Sequence, residues 1–345
     1  MTDRPKSAES ISTPVEVALV LEAIDHHDAW FDVSGPEAPF LEPAALRRRI
    51  TYCCEAFQAC HYTALGRNLP RLIVEAHRAV KAAPVGACDV YETMSRVYQL
   101  TASFLFKYGE TTKVYAALAA DRALAAAQRS ANPVAIGAAS RRVAKSMLRE
   151  KRGKAATVFA SSVARNLNDD LKGLGPIGLS TLGMLHLNAA IATSGAERDR
   201  TSRTFSLAND LLDEASEVAG QQGVDLNADW TAFGPTNVTL HRVDVLVRLE
   251  DGWSALEASE ALSSAALAGL AKERRAQHFI TMARAQLMTR HKDDAVQALL
   301  AAEELAPEEV RRRPSSVELA KSILDLHPQP GAALRALAQR CGLLT

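Results

Sequence analysis

The chain has 345 residues, with 40 basic side chains balancing 40 acidic ones, so no net field draws it to nucleic acid or to an anionic membrane. Hydrophobic residues make up 48% and aromatics only 5%. Alanine and leucine supply much of the apolar fraction, which suits close helix–helix packing and disfavours strands.

At this length the chain holds two ordinary domains or one elongated array. The apolar run from Val15 to Leu21 is short, interrupted by Glu16 and without a small-residue cleavage site, so the N-terminus does not read as a signal peptide. No window approaches the ~20 apolar residues of a membrane span. Five cysteines form an odd, sparse set, unlike a secreted disulfide framework. The expectation is a soluble, cytoplasmic protein.

Residues 1–13 are polar and expected to be disordered, and 14–43 to form one helix, over 15–31, and a linker broken by Ser34-Gly35-Pro36. From Ala44 to the C-terminus helical periodicity is nearly continuous and is punctuated into pairs. Helices are predicted over 45–65 and 69–82, closed by Pro84-Val85-Gly86, then over 87–108 and 111–129, turning at Gly109. The next pairs are 134–149 with 154–166, and 177–192 with 201–219, after a break at Gly173, Gly175 and Pro176. A loop over 220–234 carries Trp230 and Phe233, either as a cap or as core plugs. Pro235 opens a helix over 236–249 that turns at Asp251-Gly252 into 254–267. Closing helices are predicted over 315–326 and 332–341.

Residues 276–309 resemble a tetratricopeptide (TPR) repeat, the pattern of about 34 residues W-x2-L-G-x2-Y, A-x3-F, P. Ala283 and Ala295 are small enough for two antiparallel helices to approach. Phe279, Met282 and Leu299 fill the space around them, and Pro307 stops the second helix. Gln286 stands at the aromatic site and Ala283 at the glycine site, so the copy is TPR-like. Ala120, Leu124 and Ala127 repeat the spacing of Ala295, Leu299 and Ala302; Ala155, Phe159 and Ser162 are given the same places, and Ala255 the small site of its unit. The expected fold is all-α, a right-handed TPR-like solenoid of antiparallel helix pairs.

Three blocks carry a wider likeness: Ala119-Ala120-Asp121-Arg122-Ala123-Leu124, then Phe233 to Val238 with His241-Arg242-Val243, then Asp294-Ala295-Val296 to Pro307. In this order they resemble the C-terminal TPR-like regulatory region of actinobacterial helix-turn-helix regulators of the XRE type, over roughly 40–340. The resemblance implies a repeat region that senses a ligand, peptide or partner. A helix-turn-helix has no room before Ala44, and the run Tyr52 to Phe57 lacks a turn glycine and a basic recognition helix. Direct DNA binding by this chain is not expected. It is either a headless relative acting through partners, or its gene starts upstream of Met1.

Enzyme chemistry has little support. No H-E-x-x-H, Walker A, G-x-G-x-x-G or G-x-S-x-G pattern occurs. Cys53 and Cys60 share one helical face while Cys54 and His61 share another, so packing accounts for them better than a tetrahedral metal. His26-His27-Asp28 reads as a solvated helix end. No catalytic residue, metal or cofactor is expected.

A polar stripe is more informative. Asn237, His241, Asp244 and Arg248 recur on one side of an otherwise apolar helix. With Ala255 at the small site, Asn237, Asp244 and Arg248 fall where a TPR points into its concave groove. The corresponding residues are Gln277, Arg284 and Met288 in the 276–309 repeat, and Arg96, Ser103 and Lys107, with Gln99 nearby, in the earlier unit. Such groups suit an extended peptide or another polar ligand. A solvated face with an internal His–Asp or Asp–Arg pair fits the same spacing. The expected function is a ligand- or peptide-sensing, regulator-like binding module with a protein or peptide partner, a small-molecule effector being a further occupant and a homodimer one permitted assembly. The alternative is an interaction adaptor with no ligand switch.

Overall fold

The computed structural model describes residues 14–27, 43–195 and 201–344. The segments 1–13, 28–42 and 196–200 and residue 345 lie outside it, and with them the predicted disorder, the linker and the end of the first helix. Among the described residues the regular structure is helical: eighteen α-helices and two 3-10 turns, with one isolated antiparallel bridge, Leu226 to Phe233.

In chain order the helices are α1 (Val15–Asp25), α2 (Pro43–Gln58), α3 (Tyr62–Ala82), α4 (Cys88–Leu105), α5 (Lys113–Ser130), α6 (Pro133–Arg149), α7 (Gly153–Asn166), α8 (Asn168–Lys172) and α9 (Gly175–Ser194). They continue as α10 (Ser202–Gln222), α11 (Pro235–Arg248), α12 (Gly252–Glu260), α13 (Ser264–Gly269), α14 (Lys272–Met288), α15 (Lys292–Leu305), α16 (Pro307–Arg311), α17 (Pro314–Asp325) and α18 (Ala332–Arg340). Six pairs pack together: α2 with α3, α4 with α5, α6 with α7, α9 with α10, α11 with α12, and α14 with α15. Alanine makes the close approach: in α5 Ala116, Ala119, Ala120, Ala123 and Ala127 are all buried, and Ala283 and Ala295 are fully buried where α14 meets α15.

Four of the turns within pairs share one geometry. Cys60, Lys151, Glu250 and Arg290 are left-handed, with φ of 62, 63, 62 and 64°. In each, the following amide donates to a carbonyl five residues back, for example His61 to Ala56 and His291 to Gln286, closing off the helix end. The predicted break after Leu65 therefore moves to Cys60. Gly66, Arg67 and Asn68 are helical, and Gly66 is a packing glycine, since a Cβ there would sit 2.8 Å from the Phe104 ring and 2.9 Å from Glu16 Cβ.

The same turns correct the third unit. Ala156, Ala255 and Ala295 each lie five residues beyond a left-handed residue, and all three are fully buried. Ala155 is exposed, so the buried stripe of α7 is Ala156, Ala160 and Ala164, not Ala155, Phe159 and Ser162. The helix predicted over 254–267 is two: α12 ends at Glu260, and Ser263 starts α13 by accepting a hydrogen bond from the Ala266 amide.

The first helices of the six pairs also contact one another in succession, α2 to α4, α4 to α6, α6 to α9, α9 to α11 and α11 to α14, and α14 returns to α2. The chain thus closes on itself. Ala276 of α14 and Ala306 belong to the same hydrophobic cluster as Val17 and Ile24 of α1 and Ile50 of α2. Polar contacts seal the junction: Tyr62 Oη donates to Glu309 at 2.6 Å, the Thr63 amide to Glu308 at 2.9 Å, and Arg312 pairs with Glu16 at 2.6 Å.

The loop before α11 is anchored at Phe233, which is fully buried against Gly183 of α9. A Cβ on Gly183 would lie 2.0 Å from that ring, closer than any repacking of one atom allows. Gly183→Ala is expected to cost at least about 1–3 kcal/mol by overpacking. Thermal denaturation measures this, and an unchanged midpoint contradicts the packing described.

Candidate functional site

The ring of first helices surrounds a solvent-open cavity of about 590 Å³. Eight of the ten residues singled out from the sequence line it: Arg96, Gln99 and Lys107 from α4 and its end, His241, Asp244 and Arg248 from α11, and Gln277 and Arg284 from α14. Ser103 lines it too.

The other two do not. Asn237 is fully buried in the first turn of α11, where it packs against α9 with its amide nitrogen 3.5 Å from Met184 Sδ. Met288 is 44% exposed and lies over Gly252, outside the cavity wall. Of the two loop aromatics, Trp230 lines the cavity and Phe233 is a core plug.

Sequence reasoning missed α6, which contributes Arg141, Arg142, Lys145 and Arg149 to the wall. Counting back from the four left-handed turns would have found it. Six residues before each stand Cys54, Lys145, Asp244 and Arg284, and all four line the cavity. Without glycine at those turns, the equivalence is invisible in the sequence.

The lining carries ten lysine and arginine side chains against two carboxylates, Asp244 and Glu273. Asp229 pairs with Arg96 from behind, and Glu309 with Lys107 and Arg313, raising the acids to four. The chain as a whole is neutral, so a surplus of six positive charges is gathered here and balanced elsewhere.

Pairing is uneven. Lys107 Nζ lies 2.7 Å from Glu273 and 3.0 Å from Glu309; Arg248 lies 3.2 Å from Asp244. Arg313 also donates to Gln277. Among the described residues no carboxylate comes within ion-pair distance of Arg141, Arg142, Lys145 or Arg149. Arg142 donates to the Ala138 carbonyl and Ser103 Oγ, Arg149 to the Phe106 carbonyl, and Lys145 sits 5.0 Å from the centre of the Phe106 ring. Buried Arg141 Nε has no partner.

The electrostatic cost is visible in the titration of these groups. Lys145 is open to solvent in the cavity, but desolvation by the crowded wall, with Arg149 and Lys107 adding repulsion, pulls its ammonium well below the ordinary range. Burial lowers Arg142, with Arg96 next in effect, and Arg149 and Arg284, with Arg313 next, each to about 10. All three arginines stay charged at neutral pH, so the shift reflects first the cost of desolvating them and then the repulsion among them. His241 is held neutral, at about 4, by burial and then by Arg274, and its Nδ1–H donates to the Asn237 carbonyl at 2.8 Å. Asp244 accepts from Arg248; burial opposes its charge, but Arg248 and His241 outweigh that and lower its pKa.

No family model, curated protein or solved structure matches this chain.

Of the cysteines, Cys54 lines the cavity. Cys53, Cys54 and Cys60 are buried, and burial pushes their thiols up to about 11, 12 and 12, keeping them protonated. Cys60 is beyond the end of α2, and His61 beside it is exposed, so the two do not share the helical faces expected of them. His27 stacks on His77 with ring centres 3.8 Å apart, so the end of α1 is packed and not merely solvated. No helix among the described residues is long and apolar enough to cross a membrane.

Proposed function

We propose that this chain is a ligand-sensing regulatory module: a TPR-like right-handed solenoid, closed end to end, whose inner face binds a ligand and whose output passes to protein partners. One observation carries this: six helices drawn from the whole length of the chain each turn polar or charged side chains into a single cavity. A fold that needed only stability would fill that space with apolar groups, since unpaired interior charge is costly. About 590 Å³ matches a small molecule. An extended peptide of several residues fits less well, which favours the effector over the peptide.

The cavity also offers a route to regulation. Lys107 and Glu273 line it and pair with each other across the junction, and Arg313 lines it and holds Glu309, which bonds Tyr62 and Lys107 on the other side. A ligand that engages these groups alters the closure of the ring, and a partner can read that change. His241, the one histidine of the wall among the described residues, is tied to a carbonyl and titrates far from neutrality, which fits binding better than proton transfer. The likeness to the regulatory region of helix-turn-helix regulators agrees with this function.

Native mass spectrometry of the protein isolated gently from its host tests the proposal. A small-molecule adduct of fixed mass is expected, with a raised unfolding midpoint relative to protein stripped by dilution. Arg284→Ala, which leaves the Asp244–Arg248 pair intact, is expected to lose the adduct with little change in the midpoint of the stripped protein. An adduct-free protein that no host extract stabilises points instead to an adaptor without a ligand.

A further inference from the structure

The chain supplies counter-charge to one side of the cavity and withholds it from the other. Glu273, Glu309, Asp244 and Asp229 sit among Lys107, Arg313, Arg248 and Arg96. On α6, Arg141, Arg142, Lys145 and Arg149 occupy positions i, i+1, i+4 and i+8, so one helix presents four neighbouring cations with no carboxylate partner among the described residues. Each makes at most hydrogen bonds to carbonyl or hydroxyl oxygens, or lies over the Phe106 ring, and Arg141 Nε has no acceptor.

Resting on the ligand-sensor function proposed above, we infer that the cavity takes a small molecule bearing two or more phosphate groups, held by the four cations of α6. Three of these are arginines, whose planar forks match the oxygens of phosphate in paired hydrogen bonds, and a linear or clustered polyphosphate spreads its charge over the length of two helical turns. A single carboxylate or one orthophosphate would leave most of that charge unmet. The volume excludes a nucleic-acid duplex but admits an inorganic polyphosphate, a nucleoside polyphosphate or a multiply phosphorylated polyol. Phe57, Leu100 and Trp230 give the wall an apolar portion, which a nucleobase would use and an inorganic chain would not.

Calorimetric titration of the full chain at fixed ionic strength tests this with four probes: tripolyphosphate, ATP, a hexakisphosphorylated inositol and citrate. At least one phosphate probe is expected to bind one to one and to exceed citrate by about tenfold or more. Tighter binding of ATP than of tripolyphosphate identifies a nucleotide; the reverse order identifies the phosphate chain or polyol alone. Lys145→Gln is expected to weaken the best probe by about tenfold, and Arg142→Gln with Lys145→Gln by about a hundredfold. Lys113→Gln, on the outer surface beside Glu110, leaves binding unchanged. Equal binding of citrate and the phosphates, or binding indifferent to the α6 substitutions, overturns the inference. If no phosphate binds but host extract still yields an adduct lost in Arg284→Ala, the polyphosphate assignment falls and the sensor stands. If neither occurs, both fall.

Discussion

Glu309→Ala is expected to lower stability by about 3–5 kcal/mol, because it removes a fully buried carboxylate and strands its partners. Glu309 accepts from Tyr62 Oη at 2.6 Å and lies 3.0 Å from Lys107 Nζ and 2.5 Å from Arg313. Those partners come from α3, from the end of α4 and from the start of α17, so one side chain joins segments some 250 residues apart in the sequence. Losing it leaves Lys107 with Glu273 alone, and Arg313 with an uncharged acceptor, Gln277. The unfolding midpoint should fall by roughly 5–10 °C, with Glu309→Gln intermediate. Small-angle scattering should show a larger radius of gyration as the ends separate. An unchanged midpoint and radius would mean that apolar packing of Ala276 and Ala306 closes the ring unaided.

The same carboxylate fixes an acid limit. Burial opposes its charge, but Lys107 and Arg313 outweigh burial and hold its pKa below the ordinary glutamate value of 4.5. A carboxylate depressed in the folded state contributes stability that is complete above 4.5 and is lost as the pH falls towards the lowered folded value. Glu309→Ala should therefore show a shallower loss of stability below pH 4.5 than the wild type.

Lys145→Met is expected to act in the opposite direction and stabilise the unliganded protein. The ammonium gains only its approach to Phe106, worth about 0.5–1 kcal/mol, while Arg149, Lys107 and Arg313 repel it. Replacing fully buried charges by apolar side chains of similar volume is neutral or stabilising by up to about 4 kcal/mol. Lys145 is exposed to solvent and not buried, so about 1 kcal/mol, or roughly 2 °C, is the expected gain. The sign with pH follows. A lysine whose pKa is depressed on folding costs stability while protonated, so the wild type should gain stability as the pH rises from the lowered value towards 10.5. The variant should lack that rise. Denaturation between pH 7 and 10.5 reads both effects, and a destabilised variant would show that Lys145 is satisfied where it stands. A gain in stability bought with loss of ligand is the expected mark of a binding group.

Helical periodicity is local, so most elements were legible at the level of the sequence: the pair 134–149 and 154–166 falls within a residue of α6 and α7. The spacing of small and large residues placed Ala283, Ala295, Leu299 and Ala302 in the core, where all are fully buried. Register was harder. Ala155 and Ala156 are indistinguishable as letters, and only the left-handed turn at Lys151 selects Ala156 for the interface. Gly66 resembles a turn glycine, but it lies within a helix and is glycine because a Cβ there would meet Phe104 and Glu16 of other helices.

What the sequence determined by itself is the all-α character and the polar stripes on successive first helices, since both depend on spacing within about one or two turns. Whether those stripes face outer solvent, an open groove or one another depends on how each pair rotates against the next, and no local pattern encodes that. Only tertiary structure brought α14 back to α2, joined Glu309 to Tyr62, and set ten cations around one cavity in a chain whose charges sum to zero. Composition counts charges, and periodicity places them on a face. Their mutual repulsion, and the anion it invites, arise only when the faces converge.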